Sequence, residues 1–146
     1  RDWYEMNTIA EKQRELIEVY NSLDDQMMQY EFLLQLAGNT PVPDETEKNE
    51  HTKIRNCQTD SWFIMKIENG HFFLKVDSDA LLIRGVLSIY VYLLDGRPVE
   101  EIAQASLDFM EKTTIKNQLS VDRFSVLSEL PQWVIRFCKE SILCMN

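Results

Sequence analysis

The dipeptide Asn69-Gly70 stands between two β-prone runs, residues 62–68 and 71–77, and that arrangement constrains the chain more than any other feature: it specifies a β-hairpin. Both central residues of a two-residue type I′ turn need positive φ, which asparagine and glycine tolerate better than other residues. Pairing Glu68 with His71 sets Ile67 opposite Phe72, Met65 opposite Leu74 and Phe63 opposite Val76, so every pair on one face is apolar. A slip of one residue would turn all of these to water. The other face pairs Lys66 with Phe73, Ile64 with Lys75 and Trp62 with Asp77, a mixed and partly wet surface. Such a hairpin packs on one side only, and helices must cover that side.

Helical signals lie before and after it. In residues 4–21, Met6, Ile9, Leu16, Ile17 and Tyr20 fall near one helical face. Asp24 or Asp25 can cap a second helix running through Leu36, with Gly38 and Pro41 marking its end. Residues 41–50 set Asp44, Glu45, Glu47 and Glu50 against Lys48 and read as an acidic loop, either a solvated surface or a docking loop for a basic partner. After the hairpin, Ser78 is placed to cap a helix whose body, 80–94, is apolar nearly all round and is therefore the expected buried centre; Asp95-Gly96 ends it. Pro98 fits the first turn of a shorter helix with Glu100 and Glu101 near its positive end, and 106–112 adds another turn or two. Ser120 can cap a last long helix from 121 to about 143, which Pro131 should kink or split. With an extended segment at 54–57 beside the hairpin, the expected class is α+β: a small antiparallel sheet with helices over one side.

One domain over 1–146 can hold this core without disulfides or metal, since 146 residues at 45% hydrophobic content bury enough surface. The three cysteines, Cys57, Cys138 and Cys144, are odd in number and lack CxxC spacing, which argues against a disulfide framework or a closed zinc site and fits a reducing cytosol. No signal-peptide pattern opens the chain, which begins at Arg1 and leaves its natural start open. The longest near-apolar stretch, 80–94, falls short of the ~20 residues of a membrane span and contains Arg84 and Gly85. A soluble, cytoplasmic protein is expected. The formal net charge of −9 disfavours nucleic acid and points to a basic protein partner whose association is salt-sensitive.

Among the cysteines, Cys57 alone is framed by cationic side chains, with His51, Lys53 and Arg55 within the six preceding positions. Positive neighbours stabilise a thiolate, the reactive form of the residue; the competing reading is a small apolar residue at a strand edge. His51 and His71 are the only histidines, which weakens a Cys-His hydrolase reading. Cys138 reads as a packed core thiol, Cys144 as a residue near a fraying end, and Asp77 and Asp79 as helix-start acids rather than catalytic carboxylates.

Cys57-Gln58-Thr59 with Trp62, Asp77-Ser78-Asp79-Ala80, Arg84-Gly85, Pro98, Ile102, Leu119-Ser120 and Arg123 follow one another over roughly residues 24–127. In order and spacing this set resembles the SufE family of sulfur acceptor proteins in iron-sulfur cluster assembly, which carries a Gly-Cys-Gln-Ser element, a nearby Trp, an acidic-Ser-acidic-Ala run and a basic-Gly pair. Asn56 replaces the glycine before the cysteine, and asparagine is the non-glycine residue that best tolerates a left-handed backbone, so a tight turn survives. Thr52, Gln118 and Val126 stand where the family has asparagine, histidine and glycine, which leaves partner choice open.

The resemblance implies a SufE/IscU-like fold, about three strands at its heart, with the Cys57 loop at one end and the cysteine partly covered by apolar side chains until it moves out to meet its donor. It implies that Cys57 accepts persulfide sulfur from a SufS-type, pyridoxal-phosphate-dependent cysteine desulfurase, stimulates that enzyme, and passes sulfur to a cluster scaffold complex such as SufBCD. The chain would then be a sulfurtransferase-like carrier rather than an independent turnover enzyme, with no cofactor or metal of its own and no nucleic-acid or membrane partner. Arg123, the arginine of the Leu-Ser-x-x-Arg run, is expected beside the cysteine, where it joins Arg55 and Lys53 in stabilising the thiolate while Trp62 shields the persulfide. Two other readings stay open: a partner-binding adaptor whose cysteine is dispensable, and an IscU-type scaffold. The scaffold needs several converging thiolates where this chain offers one well-placed cysteine and Ser78 at the helix start.

Overall fold

A computed structural model describes residues 7–145. The hairpin forms as Ser61–Glu68 (β1) and His71–Ser78 (β2), with Asn69 at φ 52° and Gly70 at φ 77°, the two positive values a type I′ turn requires. Its register matches the expected one, with Glu68 opposite His71, Ile67 opposite Phe72, Met65 opposite Leu74 and Phe63 opposite Val76, and it runs on to one further pair, Ser61 opposite Ser78. Phe63, Phe72, Leu74 and Val76 are buried, each worth roughly 1.5–3 kcal/mol against exposure.

Of the three strands expected, two are strands and the third is a single bridge, Lys53 opposite Trp62, held by Ile54 N–H to the Ser61 carbonyl (2.8 Å) and Phe63 N–H to the Thr52 carbonyl (2.9 Å). The chain turns on both sides of that bridge. Upstream, Asn49 Oδ1 accepts the His51 and Thr52 N–H groups; downstream, Asn56 takes φ 65°. Too few residues lie between those turns for a longer ladder.

The segment 80–94 is the buried centre. Leu81–Leu94 (α3) buries Ile83, Val86, Leu87, Ile89, Tyr90, Leu93 and Leu94 against the hairpin and the other helices, and Phe63 meets Tyr90 edge to face at 5.8 Å. Its N-cap is Ala80, without a side-chain cap; Ser78, the expected cap, lies two residues too early, its hydroxyl accepting from the Ala80 N–H just before the helix and pairing with Ser61. Asp95 and Gly96, at φ 80°, end the helix as expected.

Before the hairpin, Ile9–Ser22 (α1) starts at Thr8, whose hydroxyl accepts from Glu11 N–H while the Glu11 carboxylate accepts from Thr8 N–H. Met6, assigned to this helix from periodicity, lies outside the described residues. Of the two candidate caps for Gln26–Asn39 (α2), Asp25 serves, accepting from Met28 N–H at 2.8 Å. This helix runs past Leu36 and through Gly38, because its last carbonyls find another partner: Arg84 donates to the Ala37 and Thr40 carbonyls.

After α3 come Val99–Ala103 (α4), with Pro98 at its N-cap rather than inside its first turn, and Phe109–Lys112 (α5). Gln13 of α1, nearly fully buried, spends its amide on α5: its oxygen accepts from Asp108 and Phe109 N–H, and its nitrogen donates to the Ser106 carbonyl. The last expected helix is split, as Pro131 demands, into Val121–Leu127 (α6), capped by Ser120, and Leu130–Met145 (α7), whose second residue is Pro131. The architecture is α+β, a two-stranded antiparallel sheet with helices on its apolar side. No helix among the described residues is long and apolar enough to cross a membrane.

The acidic loop exposes Asp44, Glu45 and Glu50, the solvated surface expected of it, yet it is pinned to the hairpin. A short 3₁₀ turn, Glu45–Glu47, brings Glu47 to Lys75 (3.1 Å) and Lys48 to Asp77 (2.8 Å), with the Lys48 ammonium 4.6 Å over the Trp62 ring. It folds onto the Trp62, Lys75 and Asp77 end of the hairpin's mixed face, while Lys66 and Phe73 stay exposed.

Candidate functional site

Ile54, almost fully buried, anchors the segment that carries the cysteine. Beyond it the backbone turns at Asn56 in the left-handed region and delivers Cys57, half-buried, to a depression of about 390 Å³ lined by Glu50, Lys53, Ile54, Arg55, Asn56 and Cys57. The turn expected of Asn56 is therefore present. Cys57 Sγ lies 3.7 Å from Ser61 Oγ, which lies 3.1 Å from the Thr59 carbonyl and 2.8 Å from Ser78 Oγ.

The cationic frame is not uniform. Lys53 pairs with Asp60 at 3.0 Å and approaches Glu50 at 4.0 Å, and the Asp60 hydrogen bond holds its pKa above the ordinary lysine value. Arg55 stands exposed at the rim of the depression, and His51 is exposed, its backbone N–H donating to Asn49 Oδ1.

Arg123, in the first turn of α6, reaches across to the cysteine loop, where Nη2 donates to Thr59 Oγ1 at 2.6 Å. Its Nε is enclosed with no hydrogen-bond partner among the described residues. A guanidinium with one donor spent on the loop and another enclosed and unspent holds Thr59 in place and keeps positive charge beside the cysteine turn. Helix position alone would disfavour a cation at that point, so the tertiary contact explains the residue.

The other chemistry-bearing residues lie elsewhere or serve the fold. Asp77 accepts from Lys48 and Arg84; burial pushes its carboxyl up, but the Lys48 hydrogen bond, the Ser78 N–H and the charges of Lys48 and Arg84 outweigh this and leave it below the usual aspartate range. Asp79 gives its N–H to the Asp60 carbonyl. Cys138 is buried in the core and pushed up to about 11 by burial, while Cys144 is exposed near the end of α7. His71 is exposed at the hairpin turn.

Sequence reasoning missed Ser61. Its signal was available: extending the hairpin by one pair sets Ser61 opposite Ser78, on the same face as Phe63 and Val76 and four residues after the cysteine. Of the three family departures besides Asn56, Thr52 bonds the Glu47 carbonyl, Gln118 bonds the Gln26 carbonyl and Val126 packs against the core; each substituted side chain has a structural partner.

Similar proteins agree in fold and in domain type. The solution structure of a hypothetical protein from Thermus thermophilus superposes with a TM-score of 0.73 over 90% of this chain and 96% of that one at 17% identity, a likeness of fold. SufE-like protein 1, chloroplastic/mitochondrial, of Arabidopsis thaliana is 26% identical over 123 residues, 84% of this chain but 33% of that protein. SufE-like protein 2, chloroplastic, of the same plant is 28% identical over 94 residues, 64% of this chain, so the chain spans about a third of the length of either plant relative, 33% and 36%. The sulfur acceptor protein CsdE of Escherichia coli (strain K12) is 28% identical over 114 residues, 76% of this chain and 77% of that one. Residues 14–136 match the SufE family, described as a Fe-S metabolism associated domain, and with that match across most of its length this chain belongs to the SufE family.

Proposed function

We propose that this chain, acting as one domain over 1–146, is a sulfur acceptor of iron-sulfur metabolism that takes persulfide sulfur on Cys57 from a SufS-type cysteine desulfurase, stimulates that enzyme, and hands the sulfur to a cluster scaffold complex such as SufBCD in a reducing, cytosolic setting. The observation that carries the reading is a SufE-family domain with a half-buried thiol at a left-handed turn, in an open polar depression, its loop tethered by Arg123. The kinship with a protein named as a sulfur acceptor supports it.

The chemistry asked of the chain is small. Cys57 Sγ, as thiolate, attacks the terminal sulfur of the donor's persulfide; a new S–S bond forms on Cys57, the donor's S–S bond breaks with its electron pair, and the donor cysteine leaves as thiolate. The sulfur changes carrier with no net oxidation, at a rate set by thiolate fraction and access. Arg123 and Arg55 supply positive charge near the turn, and Ile54, three residues before Cys57, is the apolar residue lining the depression; Trp62, expected to shield the persulfide, lies instead under Lys48 and outside that lining. The pyridoxal phosphate belongs to the donor enzyme.

The test is intact-mass analysis after incubation with a SufS-type desulfurase and cysteine, comparing wild type with Cys57→Ser. A sulfur-sized increase that the substitution abolishes is expected. An adduct on neither protein, or equally on both, overturns the assignment of Cys57 as acceptor.

A further inference from the structure

Two serine hydroxyls lie behind Cys57, and they are among the most enclosed polar groups in the molecule: Ser61 is 0% exposed and Ser78 7%. Their hydrogen bonds can be counted. Ala80 N–H donates to Ser78 Oγ at 3.2 Å, and Ser61 spends its own proton on the Thr59 carbonyl, so across the 2.8 Å contact with Ser61 Oγ it is Ser78 that donates. Ser61 then holds one proton and faces two acceptors, the Thr59 carbonyl at 3.1 Å and Cys57 Sγ at 3.7 Å. A neutral thiol is the weaker acceptor of the two, and its own S–H can point at Ser61 Oγ. A thiolate reverses the preference, because hydrogen bonds to a charged acceptor are the stronger ones.

We propose that the Ser61 hydroxyl, oriented by Ser78, is a positioning group that swings its proton from the Thr59 carbonyl to the Cys57 sulfur when that sulfur carries negative charge. No covalent bond changes in this step and nothing is oxidised: the thiol proton leaves to solvent and Ser61 keeps its own. The pair does two things for the reaction. It favours the nucleophilic form, and it holds the sulfur on the buried side of the turn until an incoming acceptor or donor offers a better contact. The inference deepens the sulfur-acceptor reading and rests on Cys57 being the reacting thiol.

The charged groups around the sulfur are Glu50, Lys53 and Arg55 on the depression, Asp60 on Lys53, Arg123 on Thr59, and Asp77 beside Ser78. Removing a hydroxyl leaves all of them in place, so the hydroxyl's effect can be read separately.

The experiment is the pH dependence of iodoacetamide alkylation at Cys57, located by peptide mass, in wild type, Ser61→Ala and Ser78→Ala, each first shown folded by circular dichroism. The alkylation midpoint of Ser61→Ala is expected to rise by about one pH unit, making alkylation near neutrality up to about tenfold slower, with a smaller shift of the same sign in Ser78→Ala. An unchanged or lowered midpoint in Ser61→Ala overturns the proposal; if that variant does not fold, an unchanged midpoint in Ser78→Ala does so. Sulfur uptake from a desulfurase, measured on the same proteins, separates the two ideas. Uptake by wild type with no midpoint shift in the variants leaves the acceptor reading standing without the serine pair. A shifted midpoint with no uptake leaves the hydroxyl's role standing and removes the acceptor reading.

Discussion

Asn56 holds φ 65° one residue ahead of Cys57, and the turn it makes brings the cysteine to the depression that both residues line. In this region a Cβ crowds the neighbouring carbonyl, a cost asparagine bears better than most residues and glycine avoids. Asn56→Gly is therefore expected to keep the fold and the accessibility of Cys57, whereas Asn56→Val is expected to lose about 1–2 kcal/mol in urea unfolding and to change the alkylation rate of Cys57. Equal stability of the two variants would remove the left-handed turn from the account. This position was legible because asparagine stands where the family pattern has glycine, and a left-handed requirement tolerates few other residues. Arg123 was legible only through its place in a family pattern; its contact with Thr59 joins residues 64 positions apart, which no local rule reaches.

At the scale of elements, the Arg84-Gly85 pair, part of the family pattern, is explained by how α2 and α3 cross. Arg84 closes the open carbonyl end of α2 and binds Asp77 at 3.1 Å, so one buried guanidinium ties α2, β2 and α3 together. Gly85 lies directly under Leu33 of α2, where an added Cβ would fall on the Leu33 carbonyl. Gly85→Ala is expected to push the two helices apart and to cost about 3 kcal/mol, toward the upper end of overpacking effects, read as a lowered urea midpoint; Gly38→Ala, where a Cβ meets nothing within 4 Å, is the control and is expected to be neutral or slightly stabilising. A tolerated Gly85→Ala would contradict the close crossing. The sequence marked the end of α2 at Gly38, yet the helix continues to Asn39, since Arg84 supplies from 44 residues or more away what a C-terminal glycine supplies locally. The missing third strand has the opposite origin: its limits are two local turns, at Asn49 and Asn56, whose combined effect on a short segment shows only once both are placed.

Over the whole molecule, Asp77 is where separate parts meet, taking Lys48 from the acidic loop and Arg84 from α3 while its own N-terminal neighbours form the hairpin. Its carboxyl is raised by burial and lowered further by Lys48, the Ser78 N–H and Arg84, for a net depression. The stabilisation is thus complete above the unfolded-state value of about 3.9 and is lost as pH falls through the lower folded-state value. Thermal stability is expected to fall as the medium is acidified below about pH 5, and Asp77→Asn to be less stable at neutral pH with a shallower acid limb; an unaltered acid limb would show that other carboxylates govern it. The hairpin register, the caps at Asp25 and Ser120, the buried course of α3 and the break before Pro131 all follow from interactions within a few residues or from a period of two or 3.6, so the linear chain carries them. The tethering of the cysteine loop by Arg123, the serine pair behind the sulfur, the capping of α2 by Arg84 and the pinning of the acidic loop are set by side chains that meet across 17 to 64 residues of chain. Such contacts have no period and no fixed spacing, and only the packed elements bring them within bonding distance.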